Sequence, residues 1–486
     1  MLRHGFLSAS LVDCVLVPIP KPGKSPSSSD SYGPIALTST LSKILEWCIL
    51  LDYSRYFVTS DLQFGFKSDT STTMCTGVLK QVVSKYIHHG SSVFACFLDA
   101  SKAFDLVRHD ILFDLLISRG LPLPVVRLLS SWYSTQSLSV RWRGTFSSSF
   151  SVSNGVRQGG VLSPVLFSIY LDELLTKLKS LGVGCFWNNH FAGALAYADD
   201  ITLLAPSASA LRKLLACCES FGVQFGLQFN PSKTQFIHFH LAGSSVCDSV
   251  VSFCGSILRQ SKTVLHLGHK LSYNLNDDDD ILLKSRHLSR AANCLFTTFS
   301  FLSPSPLSYL FSSFCLSLYG CVLWKLSSPA LRGLEVTFNN CLRRIWNLPR
   351  NTHTGILHCC AGVFSIFNTV FSRSSKFLSR AANSNNMLVQ AVFHDPPIYT
   401  FAGFNLQRGR TFLKEYPYDD IYCANVLRDF ILSPTHYDIC SGNSSTETML
   451  RTIATSLYIY FLFILHLTWC VFIIIINVWY PLVLAD

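Results

Sequence analysis

The stretch LAYADDITLL, residues 195–204, constrains the fold more than any other segment, because it places two adjacent carboxylates inside an apolar run. Neighbouring side chains of a strand point to opposite faces of the sheet, and like charges side by side repel each other. A continuous strand would therefore send Asp199 and Asp200 to opposite faces. We predict instead two short strands around a tight turn, which lets both carboxylates project into one cleft.

A third carboxylate follows another apolar segment, 100 residues earlier in the chain. SSVFACFLDA (91–100) becomes fully apolar, as buried strands do, and Asp99 stands near its end. If this strand pairs with the hairpin, Asp99 meets Asp199 and Asp200 in one cleft. Carboxylates and substrate phosphates are the usual ligands of Mg²⁺, and two such ions can stabilise both oxygens of a phosphoryl transfer. A purely turn-forming role is the alternative for the Asp pair.

Helices and strands are interleaved along the chain without strict alternation. Apolar spacing predicts helices at 41–57, 102–120, 161–180 and 207–222, strands at 91–100 and 234–240, and two strands around a Gly turn within 137–155. Gly120 and Pro122 would end the second of these helices. The DDDD run at 277–280 indicates a solvated linker, beyond which the sequence is mainly helical. These patterns predict an α+β fold over about 275 residues, followed by a mainly helical C-terminal region.

Charge and cysteine content narrow the class of protein only in part. Lys and Arg total 39 against 29 Asp and Glu, a net charge of +10 that suits a polyanionic partner without requiring one. The chain has 49% hydrophobic and 14% charged residues, a composition that excludes a disordered protein. The 18 cysteines form no CxxC pair and the N-terminal residues lack a long apolar core, so we expect reduced intracellular thiols. A metal site at His353, His358 and Cys359 is a weaker hypothesis.

The far C-terminus has the composition of a membrane span. Residues 452–485 contain no Lys, Arg, Asp or Glu, and 457–476 are apolar over a length that crosses a bilayer. Arg451 would keep the body of the protein cytosolic. A buried hydrophobic tail and translated flanking sequence are the alternatives. We therefore expect an intracellular protein, in the nucleus or cytoplasm, that contacts a membrane only if this segment spans one.

Six motifs follow one another between residues 17 and 239. They are VPIPKPGK (17–24), QFGFKSDTST (63–72), FACFLDASKAFDLVRHDIL (94–112), NGVRQGGVLSPVLFSIYLDEL (154–174), AYADDITLLA (196–205) and FNPSKTQFIHF (229–239). In order and spacing they closely resemble the reverse transcriptase of non-LTR, LINE-like retrotransposons. A weaker resemblance continues at LYGCVLW (318–324) and CLRRIWNLPRNTH (341–353).

The resemblance implies a right-hand polymerase of fingers, palm and thumb. Its RNA-directed DNA polymerase activity would use an RNA template, a DNA primer, deoxynucleotide triphosphates and two Mg²⁺ ions, with Mn²⁺ as an alternative. The implied organisation is fingers and palm at 1–275, a thumb-like helical region at 276–350, a region of unknown role at 351–451 and the hydrophobic tail at 452–486.

The resemblance also implies roles for individual side chains in the palm. Asp99 and Asp199 match the metal ligands, and Asp200 matches the adjacent carboxylate that supports them at the metal site. Lys233 in FNPSK matches a lysine near the leaving pyrophosphate, where an ammonium can stabilise charge or donate a proton. A solvated turn lysine is the alternative for Lys233.

Other matches concern the nucleotide and the primer. The nucleotide-contacting matches are Lys21, Lys24, Phe104, Arg157, Gln158 and Gly159, and the primer-grip matches are Leu267 and Gly268 in LHLG. A ring at Phe104 would exclude a 2′-hydroxyl by contact, so that the product is DNA. An ordinary core position is the alternative for Phe104.

The fingers depart from the family at one position. Residues 31–35 read Ser-Tyr-Gly-Pro-Ile, so Gly33 stands where the family has an arginine that faces the triphosphate. Losing a bidentate phosphate contact is expected to weaken nucleotide binding by about a few kcal/mol.

Two further expectations follow from the resemblance and from this departure. We expect an N-terminally truncated element copy that lacks the upstream endonuclease. The alternative function is a catalytically inactive nucleic-acid-binding remnant, whereas other palm enzymes do not fit VRQGG-x-LSP and FNPSKT.

Overall fold

Strands and helices alternate irregularly along the chain, as expected for an α+β fold. The computed structural model describes residues 7, 9–21, 23, 25–241 and 250–394. The helices are α1 (Ala9–Val12), α2 (Thr40–Asp52), α3 (Thr72–His88), α4 (His109–Ser118), α5 (Leu123–Ser134), α6 (Ser163–Ser180), α7 (Ala208–Phe225), α8 (Asp278–Thr298), α9 (Pro304–Phe314), α10 (Pro329–Trp346), α11 (Thr354–Ala361), α12 (Ile366–Ala382) and α13 (Met387–His394).

The strands are mostly short. They are β1 (Cys14–Pro20), β2 (Tyr32–Thr38), β3 (Val93–Leu98), β4 (Ala100–Ser101), β5 (Ser137–Trp142), β6 (Thr145–Phe146), β7 (Phe150–Ser151), β8 (Phe186–Trp187), β9 (His190–Phe191), β10 (Ala194–Tyr197), β11 (Asp200–Ala205), β12 (Gln228–Phe229), β13 (Gln235–Phe239), β14 (Val251–Phe253), β15 (Ser256–Leu258), β16 (Thr263–His266) and β17 (His269–Ser272). The strands predicted at 91–100 and 234–240 and within 137–155 are confirmed as β3, β13 and the group β5–β7.

The described chain divides into two compact units. The first contains the residues up to Lys284, Leu318–Leu331 and the described residues from Val370 onward, and the second contains Ser285–Ser317 and Arg332–Thr369. Within the described residues, every strand belongs to the first unit, and the second unit is helical. The unit boundaries do not coincide with the predicted domain boundaries at 275 and 350.

A four-stranded antiparallel sheet, here called the central sheet, lies in the first unit. Its strand order is β10–β11–β3–β13, and helices α3, α6 and α7 pack against it. All six residues of β3 are buried, because the strand has a neighbour on each side and helices cover the sheet. This position explains why VFACFL is continuously apolar rather than alternating.

A second sheet, here called the outer sheet, is built from more distant segments. Its order is β2–β1–β5–β6, with β7 also pairing with β5. Strand β1 pairs antiparallel with β2 and parallel with β5. The turn at Gly144, with φ 85°, separates β5 from β6, as the Gly in this segment predicted.

The helix predicted at 102–120 is shorter than expected, since α4 begins only at His109. The preceding residues bond to another loop instead: Val156 N–H donates to the Phe104 carbonyl at 2.8 Å, and Gly155 N–H donates to the Val107 carbonyl at 2.7 Å. Lys102, with φ 49°, also leaves the helical region of the backbone. The predicted end near Gly120 is confirmed.

The prediction of a solvated linker at the DDDD run is wrong. Asp277 and Asp280 are 5% and 3% exposed. Lys80 Nζ lies 2.5 Å from Asp277 Oδ1, and Trp324 Nε1–H donates to Asp280 Oδ2 at 2.8 Å. The run opens helix α8, where negative charge is favourable near the exposed N–H groups. These aspartates therefore tie the start of the helix to the first unit.

Membrane and cysteine predictions fall only partly on the described residues. Among those residues, no single helix combines the length and hydropathy needed to cross a membrane. Helices α11 and α12, which meet at a bend of 62°, have that length and hydropathy only when taken together. The predicted span at 457–476 and the tail at 452–486 lie outside the described part of the chain. The cysteines within the described part are free thiols.

Candidate active site

A tight hairpin carries the adjacent carboxylates, as predicted. Strand β10 pairs antiparallel with β11, and Tyr197 lies opposite Asp200, so that Ala198 and Asp199 form the two-residue turn. Ala198 has φ 57°, a conformation that non-glycine residues rarely adopt. The hairpin therefore presents Asp199 and Asp200 together at one end of the central sheet.

Strand β3 brings the third carboxylate to the same end of the sheet. Ile201 pairs with Leu98 in the antiparallel ladder between β11 and β3. The next residue on each strand is Asp200 and Asp99, which are therefore neighbours where the ladder ends. The predicted pairing of the two strands is thus observed, and Asp99, Asp199 and Asp200 at this end of the sheet are called the aspartate cluster. That the three carboxylates share metal ions stays a prediction.

The aspartate cluster is electrostatically strained. Burial raises the pKa of Asp200 to about 6, with further contributions from the charges of Asp199 and Asp99. Burial, together with the charge of Asp99, also raises the pKa of Asp199. A divalent cation would relieve this repulsion, and carboxylate oxygens are the ligands that Mg²⁺ prefers, so the donor chemistry fits such an ion.

A preformed metal cage is not part of this arrangement. In the part of the chain that the structure describes, no three His, Cys, Asp or Glu side chains are arranged as a complete metal-binding group. Asp99 Oδ2 instead lies 3.3 Å from Lys233 Nζ. The residues of the aspartate cluster are neighbours on the sheet, but their oxygens would have to adjust to share an ion.

Lys233 reaches the aspartate cluster through a well-anchored turn. Strand β12 pairs with β4, directly after Asp99, and Asn230 N–H donates to the Asp99 carbonyl at 2.9 Å. Within the turn, Asn230 Oδ1 accepts from Ser232 N–H at 3.0 Å. The Lys233 side chain is 62% exposed, so its ion pair with Asp99 is weak and the ammonium is available to a ligand.

The raised pKa of Asp200 leads to a stability prediction. The folded-state pKa of about 6 exceeds the ordinary value of 3.8, so the contribution of Asp200 to stability is most favourable below the ordinary value and is lost as pH rises to about 6. Without metal at pH 7, we expect Asp200→Asn to raise the free energy of unfolding by about 1 kcal/mol, after discounting for solvent screening.

Thermal denaturation in chelator tests this expectation. The gain in Asp200→Asn should be present at pH 7 and should vanish near pH 4, where wild-type Asp200 is protonated. The exposed Asp114→Asn is the matched control and should leave the melting temperature unchanged at both pH values. A destabilised Asp200→Asn at pH 7 would contradict the electrostatic account.

Phe104 lies between the protein core and the surface next to the site. Its half-buried ring stacks on Phe167 with centroids 4.5 Å apart and meets the edge of Phe66 at 6.2 Å. Phe66 is 49% exposed and has φ 58°. Both interpretations of Phe104, core packing and contact with a sugar, are compatible with this position.

The Gly-rich loop is fixed against the outer sheet. Ala36 N–H donates to the Gln158 carbonyl at 2.7 Å, and a Cβ added at Gly159 would lie 2.5 Å from the Ala36 carbonyl oxygen. Gly159 has φ 121°, so both the contact and the backbone require glycine. The Gln158 side chain donates to Asp105 Oδ1 at 3.0 Å. The nucleotide contacts of Gln158 and Gly159 stay predictions.

Arg157 takes a different place from its neighbours in this loop. Arg157 is 5% exposed, and its guanidinium donates to the Glu46 carboxylate. Its Cζ atom lies 4.4 Å from the centroid of the Trp132 ring. Glu46 also accepts from the backbone N–H groups of Val161 and Leu162. This interior position disfavours the predicted nucleotide contact and makes Arg157 a link between the loop and α2. Sequence reasoning missed Glu46, an acid within a mostly apolar helix.

The Arg157–Glu46 pair yields a second stability prediction. Removing one partner leaves the other charge buried, so Glu46→Gln and Arg157→Met should each lower the free energy of unfolding by about 3–5 kcal/mol. The double variant should lose less than the sum, because neither charge is left unpaired. Chemical denaturation of the four proteins measures the coupling. Strict additivity, or an Arg157→Met variant that keeps its stability and loses only nucleotide affinity, would contradict the structural role.

The fingers residues meet at the β1–β2 hairpin. Ile19 lies opposite Gly33, and Lys21 is exposed just beyond the end of β1. Among the described residues, a Cβ added at Gly33 would meet only Lys21 Cε within 4 Å, at 3.9 Å. The strand therefore has room for a side chain at Gly33 beside Lys21. Lys24 lies outside the described residues.

The predicted primer grip is a tight hairpin turn between β16 and β17. Leu267 has φ 45° and Gly268 has φ 77°. Tyr319 Oη–H donates to the Leu267 carbonyl at 3.0 Å, and Lys284 Nζ donates to the Gly268 carbonyl at 2.9 Å. Sequence reasoning missed Tyr319 as a support for this turn, although it lies in the LYGCVLW motif. Primer contact by Leu267 and Gly268 stays a prediction.

The alternative metal site at His353, His358 and Cys359 finds no support. His358 Nε2 lies 2.8 Å from Asn339 Oδ1, and His353 Nδ1 accepts from Gly355 N–H at 3.2 Å. These contacts describe a helix cap and a side-chain hydrogen bond rather than a shared ligand.

Comparisons with known proteins match the sequence of this chain to a family. The family described as "Reverse transcriptase (RNA-dependent DNA polymerase)" matches residues 19–271. The "Probable RNA-directed DNA polymerase from transposon BS" of Drosophila melanogaster is 25% identical over 82% of this chain and 45% of its own length. The "RNA-directed DNA polymerase from mobile element jockey" of Drosophila funebris is 28% identical over 57% of this chain and 30% of its own length. The chain thus spans less than half the length of these relatives.

Among solved structures, telomerases show a low similarity to this chain. The apo telomerase of Candida Tropicalis has a TM-score of 0.40 and 13% identity, covering 93% of this chain and 70% of that chain. The telomerase of Candida albicans in complex with a fragment of telomeric RNA has a TM-score of 0.38 and 10% identity, covering 89% of this chain and 66% of that chain.

Proposed function

Because the chain belongs to the reverse transcriptase (RNA-dependent DNA polymerase) family, we propose that its first unit extends a DNA primer on an RNA template by a two-metal mechanism. The pairing of β3 with β11, which sets Asp99 beside Asp200 and its neighbour Asp199, carries this proposal. Burial and the charges of neighbouring carboxylates raise the pKa of Asp199 and of Asp200, and such groups are costly for a fold and become favourable when cations share them.

The aspartate cluster would hold the metal ions. Asp99 and Asp199 are the proposed ligands, and Asp200 supports them. Bound Mg²⁺, or Mn²⁺ in its place, supplies Lewis-acid stabilisation of the attacking and leaving oxygens. In the proposed reaction the primer 3′-hydroxyl attacks the α-phosphate of a deoxynucleotide triphosphate in line, and pyrophosphate leaves.

Other side chains around the cluster serve the substrate. Lys233, whose ammonium already lies beside Asp99, would stabilise the charge of the leaving pyrophosphate or give it a proton. Phe104 would close the space beneath the incoming sugar, which selects a 2′-deoxynucleotide. Lys21 would contact the triphosphate from the fingers, and Gly268 would lie in the turn that supports the primer end.

An inactive nucleic-acid-binding remnant is the second candidate function. Gly33 favours it, because the protein lacks the arginine that would grip the triphosphate from two sides. The net charge of +10 would preserve salt-sensitive binding of nucleic acid even without turnover.

Primer extension by the purified full chain separates the two functions. With an RNA template, an annealed DNA primer and all four deoxynucleotide triphosphates, the polymerase predicts extension that requires Mg²⁺ and stops in chelator. The remnant predicts association that weakens steeply with salt, and no extension with Mg²⁺ or Mn²⁺.

A further inference from the structure

A short segment of the QFGF motif lies alongside the catalytic hairpin. Phe64 N–H donates to the Ala196 carbonyl at 2.7 Å, and Ala196 N–H donates to the Leu62 carbonyl at 2.8 Å. Gln63 forms a parallel bridge with Ala196. These bonds add the segment to the edge of β10, two residues before the turn at Ala198.

The side chain of Gln63 binds the turn itself. Gln63 is fully buried, its Oε1 accepts from Ala198 N–H at 3.0 Å, and its Nε2 donates to the Ala198 carbonyl at 3.3 Å. Oε1 also accepts from Gly65 N–H at 2.8 Å. One amide thus binds both backbone groups of Ala198, which requires an acceptor with two lone pairs and a donor in the same side chain.

The turn that Gln63 binds is strained. Ala198 has φ 57°, and such a conformation persists in a non-glycine residue only when its surroundings enforce it. The QFGF segment also approaches the turn closely, since a Cβ added at Gly65 would lie 2.3 Å from the Ala198 nitrogen. The close approach explains why a glycine follows Gln63 two residues later.

We propose that Gln63 is a positioning residue of the active site, whose buried amide holds Ala198 in its left-handed conformation and so keeps Asp199 and Asp200 beside Asp99. The effect on catalysis rests on the proposed function. The restraint that the Gln63 hydrogen bonds place on Ala198, here called the lock, does not. Gln63 touches neither substrate nor metal in this account. It acts through the backbone of Ala198.

Amide hydrogen exchange tests the lock without any need for activity. Gln63→Met keeps the length of the side chain and removes all three hydrogen bonds, so the Ala198 amide should exchange at least about tenfold faster, in line with the loss of one bond. Gln63→Glu keeps the acceptor and should show a smaller increase. The matched control is Gln136→Met at another buried glutamine, 3% exposed, which should leave exchange at Ala198 unchanged.

Kinetics then test the effect on catalysis. A turn that is misplaced by about 1 Å should lower kcat for primer extension by about 10- to 100-fold in Gln63→Met. KM for the deoxynucleotide and for the primer–template should change much less. Gln63→Glu adds a negative charge near the aspartate cluster, so the acid limb of its pH–rate profile should move to higher pH.

Each outcome bears on a separate claim. Unchanged exchange at Ala198 in a folded Gln63→Met overturns the lock. Faster exchange with an unchanged kcat, in a preparation whose wild type is active, overturns the positioning role. Failure of both Gln63 variants to fold also overturns it, because the side chain would then serve stability alone. An inactive wild type instead counts against the proposed function, and the exchange result still decides the lock.

Discussion

Replacing Asp199 with Asn is expected to reduce primer extension by at least about 10³-fold. The substitution removes one carboxylate from a site whose chemistry depends on cations, and about 4 kcal/mol of lost transition-state stabilisation corresponds to that factor. The variant should fold normally. Burial raises the pKa of the Asp199 carboxyl group, and removing its charge relieves repulsion within the aspartate cluster. Single-turnover primer extension at saturating nucleotide measures the effect.

Two controls make this result specific to the site. Asp114→Asn changes an exposed carboxylate on α4 and should extend primers at the wild-type rate. Binding of the primer–template by Asp199→Asn, measured across a range of salt concentrations, should match the wild type. Equal incorporation by Asp199→Asn and the wild type would remove the catalytic proposal altogether.

Replacing Gly33 with Arg is expected to strengthen nucleotide binding by about 10- to 100-fold. A charge-assisted hydrogen bond contributes about 1.5–3 kcal/mol, and each 1.4 kcal/mol is tenfold in affinity. The strand can take the side chain, because the one atom of the described residues that a Cβ at this position meets within 4 Å is Lys21 Cε, at 3.9 Å. The tighter binding should appear as a lower KM for the deoxynucleotide, measured at saturating primer–template.

The effects of side-chain length and of side-chain charge at residue 33 can be measured separately. Gly33→Met adds a side chain without charge, and Gly33→Lys adds charge without the planar fork of arginine. We expect no gain from Met and a smaller gain from Lys. An equal gain from all three variants would assign the effect to strand stability. An inactive wild type that Gly33→Arg restores would identify the protein as a remnant that lost turnover at this residue.

Much of the site was open to prediction from local patterns. The turn between β10 and β11 follows from two carboxylates in an apolar run, and the buried strand before Asp99 follows from six consecutive apolar residues. Helices α6 and α7 follow from the apolar spacing of their residues. These features depend on residues that are close together in the chain.

The failed predictions concern residues whose partners lie far away in sequence. Arg157 looked like a loop donor facing a nucleotide, and Glu46 on a distant helix makes it a buried structural residue. Asp277 looked solvated, and Lys80 pairs with it in the interior. Neither partner could be read from the neighbouring sequence, because burial and pairing are decided by packing.

By itself, the sequence determined where helices α2, α6 and α7, strands β3 and β13 and the β10–β11 hairpin form, since periodicity and charge placement act over a few residues. It also determined which reactive groups are available, namely three carboxylates and a lysine, and a net positive charge. Only the tertiary structure decided that Asp99 lies beside Asp200, that Arg157 is buried, and that Gln63 grips the turn at Ala198. In these three cases strand pairing and burial join residues separated by up to 135 positions, and no local rule of the chain specifies such pairs.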